Sequence, residues 1–211
     1  MVQNSVFNEI RKRTAQYYKH SQHDKYHIER VYNLALRIAQ EEKADTYTIK
    51  AAVLLHDIAR AQEDEGTVND HASEGAKMAQ KILTEVNFPK QKIPNVIHCI
   101  ETHRFKKRLP PKTLEARILQ DADRLDIIGA IGIARVFTRG GWSNTPIHDP
   151  KIKPKAQYDG KSKTSTNHIQ EKLLKIKATI NTKTAKKIAD ERHTYVEQFL
   201  KRLLREWKAE I

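Results

Sequence analysis

The stretch AAVLLHDIA, residues 51–59, closes an apolar run with two adjacent side chains that can ligate a metal, His56 and Asp57. A carboxylate buried next to an imidazole is strongly unfavourable unless a cation neutralises it or hydrogen bonds satisfy it. Adjacent helical residues point about 100° apart, so the two can share one ligand only near the helix axis at the C-terminal end, which is where they stand. The helix dipole adds partial negative charge at that end, and this also favours a cation. The dipeptide alone carries little, because His23-Asp24 and His148-Asp149 repeat it in polar surroundings. What distinguishes the third copy is its apolar neighbourhood, together with His27 in HIERV upstream and the acidic stretch QDADRLDIIGAIG, residues 120–132, downstream.

In that acidic stretch, Asp121 and Asp123 lie about 200° apart around a helix and cannot face one site, whereas Asp126 is one turn from Asp123 and can. The ligand set has no cysteine to draw on beyond Cys99, so neither an internal disulfide nor a thiolate cage is available, and any metal must be held by His and carboxylate.

The elements that must position these residues read as helices. Residues 6–18 place apolar side chains at helical spacing, and a polar stretch, 19–25, follows, with Asp24 as an N-cap candidate. Val31, Leu34, Ala35 and Ile38 recur at three and four across residues 26–43, so His27 stands in the first turn of an amphipathic helix. Thr46 or Thr48 opens the next helix, whose core, residues 49–55, is apolar nearly all round and so belongs inside a bundle. Residues 62–70 read as a loop. A helix over 72–83 takes Asn69 or Asp70 as its cap, with His71 at its head. Pro89 and Pro94 bracket the start of a helix carrying Ile93, Val96, Ile97 and Ile100 and ending at His103-Arg104. After Pro110-Pro111 a long run from Thr113 to about Thr138 keeps helical periodicity.

Residues 140–166, with three prolines, three glycines and many lysines, lose that periodicity and read as a long surface loop or lid that folds over a substrate. Two more helices, about 167–180 and 184–207, pack on the rest, and apolar faces in excess of what the core needs allow a homodimer. The expectation is one all-α domain over residues 1–211. With 211 residues, 38% hydrophobic and 31% charged, the chain can bury one substantial core, and two separate domains would both be small. It has no run of about 18 apolar residues and no signal-peptide pattern, which points to a cytoplasmic protein without a membrane partner. A formal charge of +13 would attract a phosphate-bearing substrate. Nucleic acid would satisfy the same field.

The ordered set of His, His-Asp and Asp on separate helices of an all-α chain resembles the HD superfamily of metal-dependent phosphohydrolases. The likeness extends through HIERV, LLHDIA, HASEGAKMA, IETHRF, LQDADRLDIIGAIGIARVF and the stretch from Asn167 to Leu200, and it is similar to the bacterial YpgQ and YedJ branch over nearly the whole length. This resemblance implies that His27, His56, Asp57 and Asp123 are the ligands, Asp123 being the carboxylate immediately before the basic residue Arg124. Such a hard N/O set suits Mn²⁺, or else Mg²⁺, Co²⁺ or Fe²⁺, over a structural zinc. Asp126 then becomes a catalytic candidate, orienting a ligand histidine or the metal-bound water. Bound there, the ion activates water for attack at phosphorus and offsets the developing charge.

The leaving oxygen needs a proton or a charge partner, for which Glu63, Asp64, His71 and His103 are candidates. Alarmone hydrolases and deoxynucleotidase relatives in the superfamily carry a Glu one turn after the His of the pair. Here that position is Arg60, a phosphate-binding candidate with Arg124, Lys77 and Arg104. Superfamily members with extra histidines between the pair and the last Asp bind two metals, so His71 and His103 pose that alternative, with one ion the expectation. The resemblance implies a (deoxy)nucleoside triphosphate pyrophosphohydrolase. The alternatives are a phosphomonoesterase or phosphodiesterase and, from another class, a basic nucleic-acid-binding protein or a metal-retaining sensor without turnover. Tyr26, Tyr32, Phe105 and Trp142 are candidates to stack on a base, against the plainer reading of aromatic core.

Overall fold

Leu54 and Leu55 end a helix with no solvent-facing apolar side, and the fold of the first half of the chain is organised around that helix. The structure, a computed structural model, describes residues 2–18, 25–104 and 109–211, and in these it is all-α, with helices, turns and no strand. The Asp24 cap and Phe105 lie outside the described residues. Residues 1–123 and 124–211 form two compact units.

The first unit contains α1 (Val2–Thr14), α2 (Lys25–Glu41), α3 (Thr46–Leu55), α4 (Arg60–Asp64), α5 (His71–Glu85), α6 (Ile93–Thr102) and most of α7 (Leu114–Asp126). In α3, Thr48, Ile49 and all five residues from Ala51 to Leu55 are buried, and α1, α2, α5 and α6 all pack on it. α3 opens at Thr46, one of the two expected positions, and its cap is Asp45, whose carboxylate accepts from the Tyr47 backbone N–H and the Thr48 hydroxyl and pairs with Lys92. Asp outranks Thr at such a position because the charged acceptor also complements the positive end of the dipole. In α2, Ile28, Val31, Ala35, Ile38 and Ala39 are buried at the expected spacing, and His27 lies on the same stripe. Asp70 caps α5 by accepting from Ser73 N–H, so His71 becomes its first residue. The expected loop over 62–70 begins later, because Arg60 to Asp64 form a turn and a half of helix.

The expected run 113–138 is two helices. α7 stops at Asp126, Ile128 is extended, and α8 (Gly129–Trp142) starts on a residue with φ +78°. A left-handed residue of this kind costs a side-chain-bearing residue conformational energy that glycine escapes. Apolar periodicity persists on both sides, so the spacing of Leu125, Ile128 and Ile131 hides the corner.

In the second unit α8 is followed by residues 143–164, then α9 (Ser165–His168), a π turn (Ile169–Leu173), α10 (Leu174–Ile176), a 3-10 turn and α11 (Lys183–Trp207), capped by Thr182. The expected loop is shorter than 140–166 at both ends: Gly140 to Trp142 finish α8, and Ser165 and Thr166 begin α9. It is also strapped down. Pro146 and Ile147 carbonyls accept from Ser165 and Thr166 N–H, Asn167 donates to the Ile152 carbonyl, and buried Glu171 takes Lys155 N–H on one oxygen and the Ser162 hydroxyl on the other. The helix expected over 167–180 is interrupted by the π and 3-10 turns. Its buried positions Ile169, Leu173 and Ile176 fit either winding, which is why spacing alone reads as one helix. No helix among the described residues is long and apolar enough to cross a membrane.

The corner before α8 gives a stability test. A Cβ on Gly132 would lie 2.3 Å from the Ile127 carbonyl oxygen, while one on Gly141, also in α8, would meet nothing within 4 Å. Gly132→Ala should lower stability by at least about 2 kcal/mol, because backbone must move. Gly141→Ala should be neutral or stabilising by up to about 1 kcal/mol. Thermal and denaturant unfolding of the two variants measures the contrast, and equal effects would contradict this corner geometry.

Candidate metal centre

His56 follows the last residue of α3 and is fully buried, with its Nδ1 2.8 Å from the Val53 carbonyl oxygen. A carbonyl can only accept, so Nδ1 carries the proton and the lone pair lies on Nε2. That atom is buried and makes no hydrogen bond. Burial holds the His56 imidazole down to about 4, against the pull of Asp57, so the ring is neutral. An unprotonated, buried ring nitrogen with no hydrogen-bond partner is a metal ligand in waiting.

Asp57, 3% exposed, faces two ways. Its Oδ2 is 3.6 Å from His56 Nε2 and 3.7 Å from His27 Nε2, and His27 Nε2 is in turn 3.5 Å from Asp123 Oδ1. Its Oδ1 is 3.4 Å from both His71 Nε2 and His103 Nε2. The spacings on the Oδ2 side are long for hydrogen bonds, and all of them are short enough for the side chains to share an ion. Two triads have ligand atoms within 4.8 Å of one another, His27–His56–Asp57 and Asp57–His71–His103, with Asp57 common to both. The donor set of imidazole and carboxylate fits a divalent ion of the hard to intermediate class. Burial works against the Asp123 charge, but His27 and His56 outweigh it and keep that carboxyl below the usual carboxylate range.

The second triad has its own supports. His103, one residue past α6, gives its Nδ1 proton to the Ile100 carbonyl at 2.6 Å. His71 Nδ1 is 2.6 Å from Glu63 Oε2, which also accepts the His71 backbone N–H at 2.8 Å. Burial raises the Glu63 carboxyl, yet these bonds from His71 and the charge of Arg104 leave it below the usual range, so it is the acceptor. Both rings therefore turn their Nε2 atoms inward, 3.3 Å apart. Two lone pairs at that distance, beside a carboxylate oxygen, repel unless a proton or a cation lies among them. Burial pushes both imidazoles down. For His71 it prevails, whereas the hydrogen bond and charge of Asp57 carry His103 above its ordinary value.

Around this centre, Arg104 is held by two carboxylates, Glu63 Oε1 at 2.5 Å and Asp70 Oδ1 at 2.8 Å. Arg60 grips Asp64 through two nitrogens at 2.9 and 3.3 Å, and its Nη1 is 3.5 Å from His71 Nδ1. Despite burial, Asp57 and Asp64 raise its guanidinium further. Lys77 stands on the exposed face of α5 with Glu74 at 3.1 Å. Arg124 and Asp126 belong to the second unit, where Arg124 donates to the Thr179 carbonyl and Asp126 pairs with Arg135 at 2.5 Å. Asp64 is half exposed and serves Arg60. Of the stacking candidates, Tyr26 and Trp142 are exposed, and Arg11 lies 4.7 Å over the Tyr32 ring. His148 bonds Thr166 and meets Trp207 edge-on, while Asp149 accepts from the Lys151 backbone, both in turn roles.

Two contributors escape the sequence reading. Tyr18 donates to the Leu54 carbonyl at 2.7 Å, tying the chain after α1 to the end of α3, and burial together with Asp57 pushes its phenol well up. Gln120 donates to the carbonyls of Thr102 and Leu109, holding the backbone beside His103. Neither had a signal in spacing. The pairing of Asp70 with Arg104 was similarly hidden, although both residues lay in segments already singled out.

Comparison with known proteins agrees with this geometry. A profile of the HD domain matches residues 25–128, the span that carries all six side chains of the two triads and Asp123. YpgQ of Bacillus subtilis is 34% identical over 187 residues, covering 87% of this chain and 83% of that protein. The crystal structure of an HD-superfamily hydrolase from Bacillus thuringiensis superposes with a TM-score of 0.78 at 34% identity, over 99% of this chain and 100% of that one. The structure of B. subtilis YpgQ in complex with ADP superposes with a TM-score of 0.76 at 29% identity, over 98% and 97% of the two chains. The helix arrangement, the two histidine–aspartate triads and likeness over the full length to such hydrolases place the chain in the HD superfamily of metal-dependent phosphohydrolases, alongside YpgQ.

Proposed function

We propose that this phosphohydrolase acts on nucleoside triphosphates, deoxynucleotides included, and releases pyrophosphate. The observation that carries the hydrolytic reading is the convergence of four imidazoles on the two oxygens of one buried carboxylate, Asp57. The nucleotide reading draws on similarity to YpgQ, which was crystallised with ADP.

His27, His56, Asp57 and Asp123 hold the ion, Mn²⁺ being the first choice for this N/O set. The ion supplies activation of water and relief of charge at the phosphoryl group. The chain's own groups do the rest. Water adds to the α-phosphorus and gives up a proton to solvent, the bond to the bridging oxygen breaks, and pyrophosphate leaves with the bonding pair. A proton shared by the Nε2 atoms of His71 and His103, 3.3 Å apart, would serve that leaving oxygen. Glu63 fixes the His71 ring and its tautomer, so that Nε2, not Nδ1, addresses the site. Arg60 and Arg104 contribute positive charge near the same edge, Arg60 being the freer of the two to turn from Asp64 to a phosphate. A panel of nucleoside and deoxynucleoside triphosphates with Mn²⁺, read by phosphorus NMR, should yield pyrophosphate and monophosphate. Orthophosphate as the sole phosphate product would sink the proposal.

A second reading puts a second divalent ion, in place of a proton, among Asp57, His71 and His103. The facing ring nitrogens and the shared carboxylate favour it.

Three outcomes are expected of variants. Asp57→Asn should lose bound metal and lower turnover more than about 100-fold, since even residues behind the ligands typically cost 10–100-fold. Retained metal and turnover would remove the basis of the assignment. Glu63→Gln keeps the shape but not the charge behind His71, so kcat should fall about 10–100-fold with KM little changed; an unaltered kcat would show that His71 needs no such support. Metal analysis of wild type and His103→Ala separates the one-ion and two-ion readings. One equivalent in both fits the proton, and two falling to one fits the second ion.

A further inference from the structure

The second unit contains a cavity of about 290 Å³ that the metal centre does not use, walled by residues of the strapped segment 143–164 and of the helical turns beneath it. Four of its lining side chains are lysines, Lys151, Lys153, Lys155 and Lys163, and one is a carboxylate, Glu171. Glu171 is buried, and both its oxygens are engaged, by Lys155 N–H at 2.8 Å and the Ser162 hydroxyl at 2.5 Å. Its charge is therefore directed into the straps. The Lys155 ammonium is committed to Asp159 at 2.8 Å and to the Lys161 carbonyl at 2.9 Å. Lys151, Lys153 and Lys163 have no side-chain hydrogen bond or ion pair among the described residues.

Lys151, Lys153 and Lys163 are exposed residues that line one concave space, so their ammonium groups can reach over it and raise the positive potential there. Like charges held near one another are relieved by a polyanion, which replaces mutual repulsion with charge-assisted hydrogen bonds. The walls are also fixed: the backbone at Ile152 and Lys155 is tied to Asn167 and Glu171, both buried, so the lysine stems start from ordered positions. No aromatic side chain lines the cavity, and Ile152 is its single large apolar one, which leaves nothing to stack on a base. We propose that this cavity binds a small phosphate-type polyanion, with inorganic pyrophosphate as its simplest occupant, through the ammonium groups of Lys151, Lys153 and Lys163. The site is independent of the metal-centre reading.

The test is calorimetric titration of inorganic pyrophosphate, at low ionic strength, into full-length protein stripped of metal with EDTA, and into Asp57→Asn protein. One equivalent should bind in both cases. The double variant Lys153→Gln, Lys163→Gln should weaken binding at least tenfold in both backgrounds while leaving the unfolding temperature and the metal-dependent turnover unchanged, because these exposed side chains hold nothing else in place. Absence of binding, binding unaltered in the double variant, or binding abolished by Asp57→Asn would each overturn the assignment. A nucleoside diphosphate that binds at least tenfold more tightly than pyrophosphate, through a site lost in the lysine double variant, would also overturn it, since the walls hold no aromatic group for a base.

Discussion

The structure of the first unit turns on one carboxylate kept out of water. Asp57 is nearly fully buried, and around its two oxygens stand four imidazoles, two on each side. An ionised carboxylate in such a place is costly unless a cation, a proton on a neighbouring ring or hydrogen bonds offset its charge, and the ring nitrogens turned toward it are placed to share either a proton or an ion with it. Each ring is tied at its far nitrogen to a main-chain or side-chain acceptor where the contacts are resolved: Val53 for His56, Ile100 for His103, Glu63 for His71. The protein has thus fixed the tautomers before any ion or substrate arrives, and binding need not reorganise them.

Packing does the positioning. α3 is buried on every side by α1, α2, α5 and α6, so its C-terminal end, which presents His56 and Asp57, has little freedom to shift. His71 and His103, on the other side of Asp57, sit at helix boundaries that the chain marks clearly. His71 is the first residue after the Asp70 cap, and His103 follows the last turn of α6. Asp70 plays two parts, capping α5 with one oxygen and holding Arg104 with the other. Arg104 in turn holds Glu63, so the cap that starts α5 and the group that orients His71 are joined through one guanidinium.

Much of this was legible in the chain because the relevant features are periodic or local. The stripes of α2 and α6, the all-round apolarity of α3 and the Asp70 cap follow from residue spacing, and the His56–Asp57 pair stands out against two copies in polar contexts. What stayed hidden depends on backbone conformation or on contacts between distant residues. The corner at Gly129 interrupts no periodicity, and the π turn at Ile169 keeps its apolar positions in a register that an ordinary helix would also use. Tyr18 and Gln120 act through their polar tips on carbonyls 36 and 18 residues away, which no local pattern records. The lysine-rich segment read as open loop because its straps are made by the backbone of one stretch and the side chains of another.

That strapping bears on how the chain resists being cut. Residues 151–163 hold five lysines, four of them not followed by proline and so open to a trypsin-like enzyme, a density that in a slack segment invites rapid nicking. A protease needs several consecutive residues drawn out in its cleft, and here the backbone would first have to let go of Asn167 and Glu171. Susceptibility is then governed by local opening of the second unit and not by how many cleavable bonds the segment displays. Splicing the segment down to a short connector would, for the same reason, take away part of a wall along with the loop.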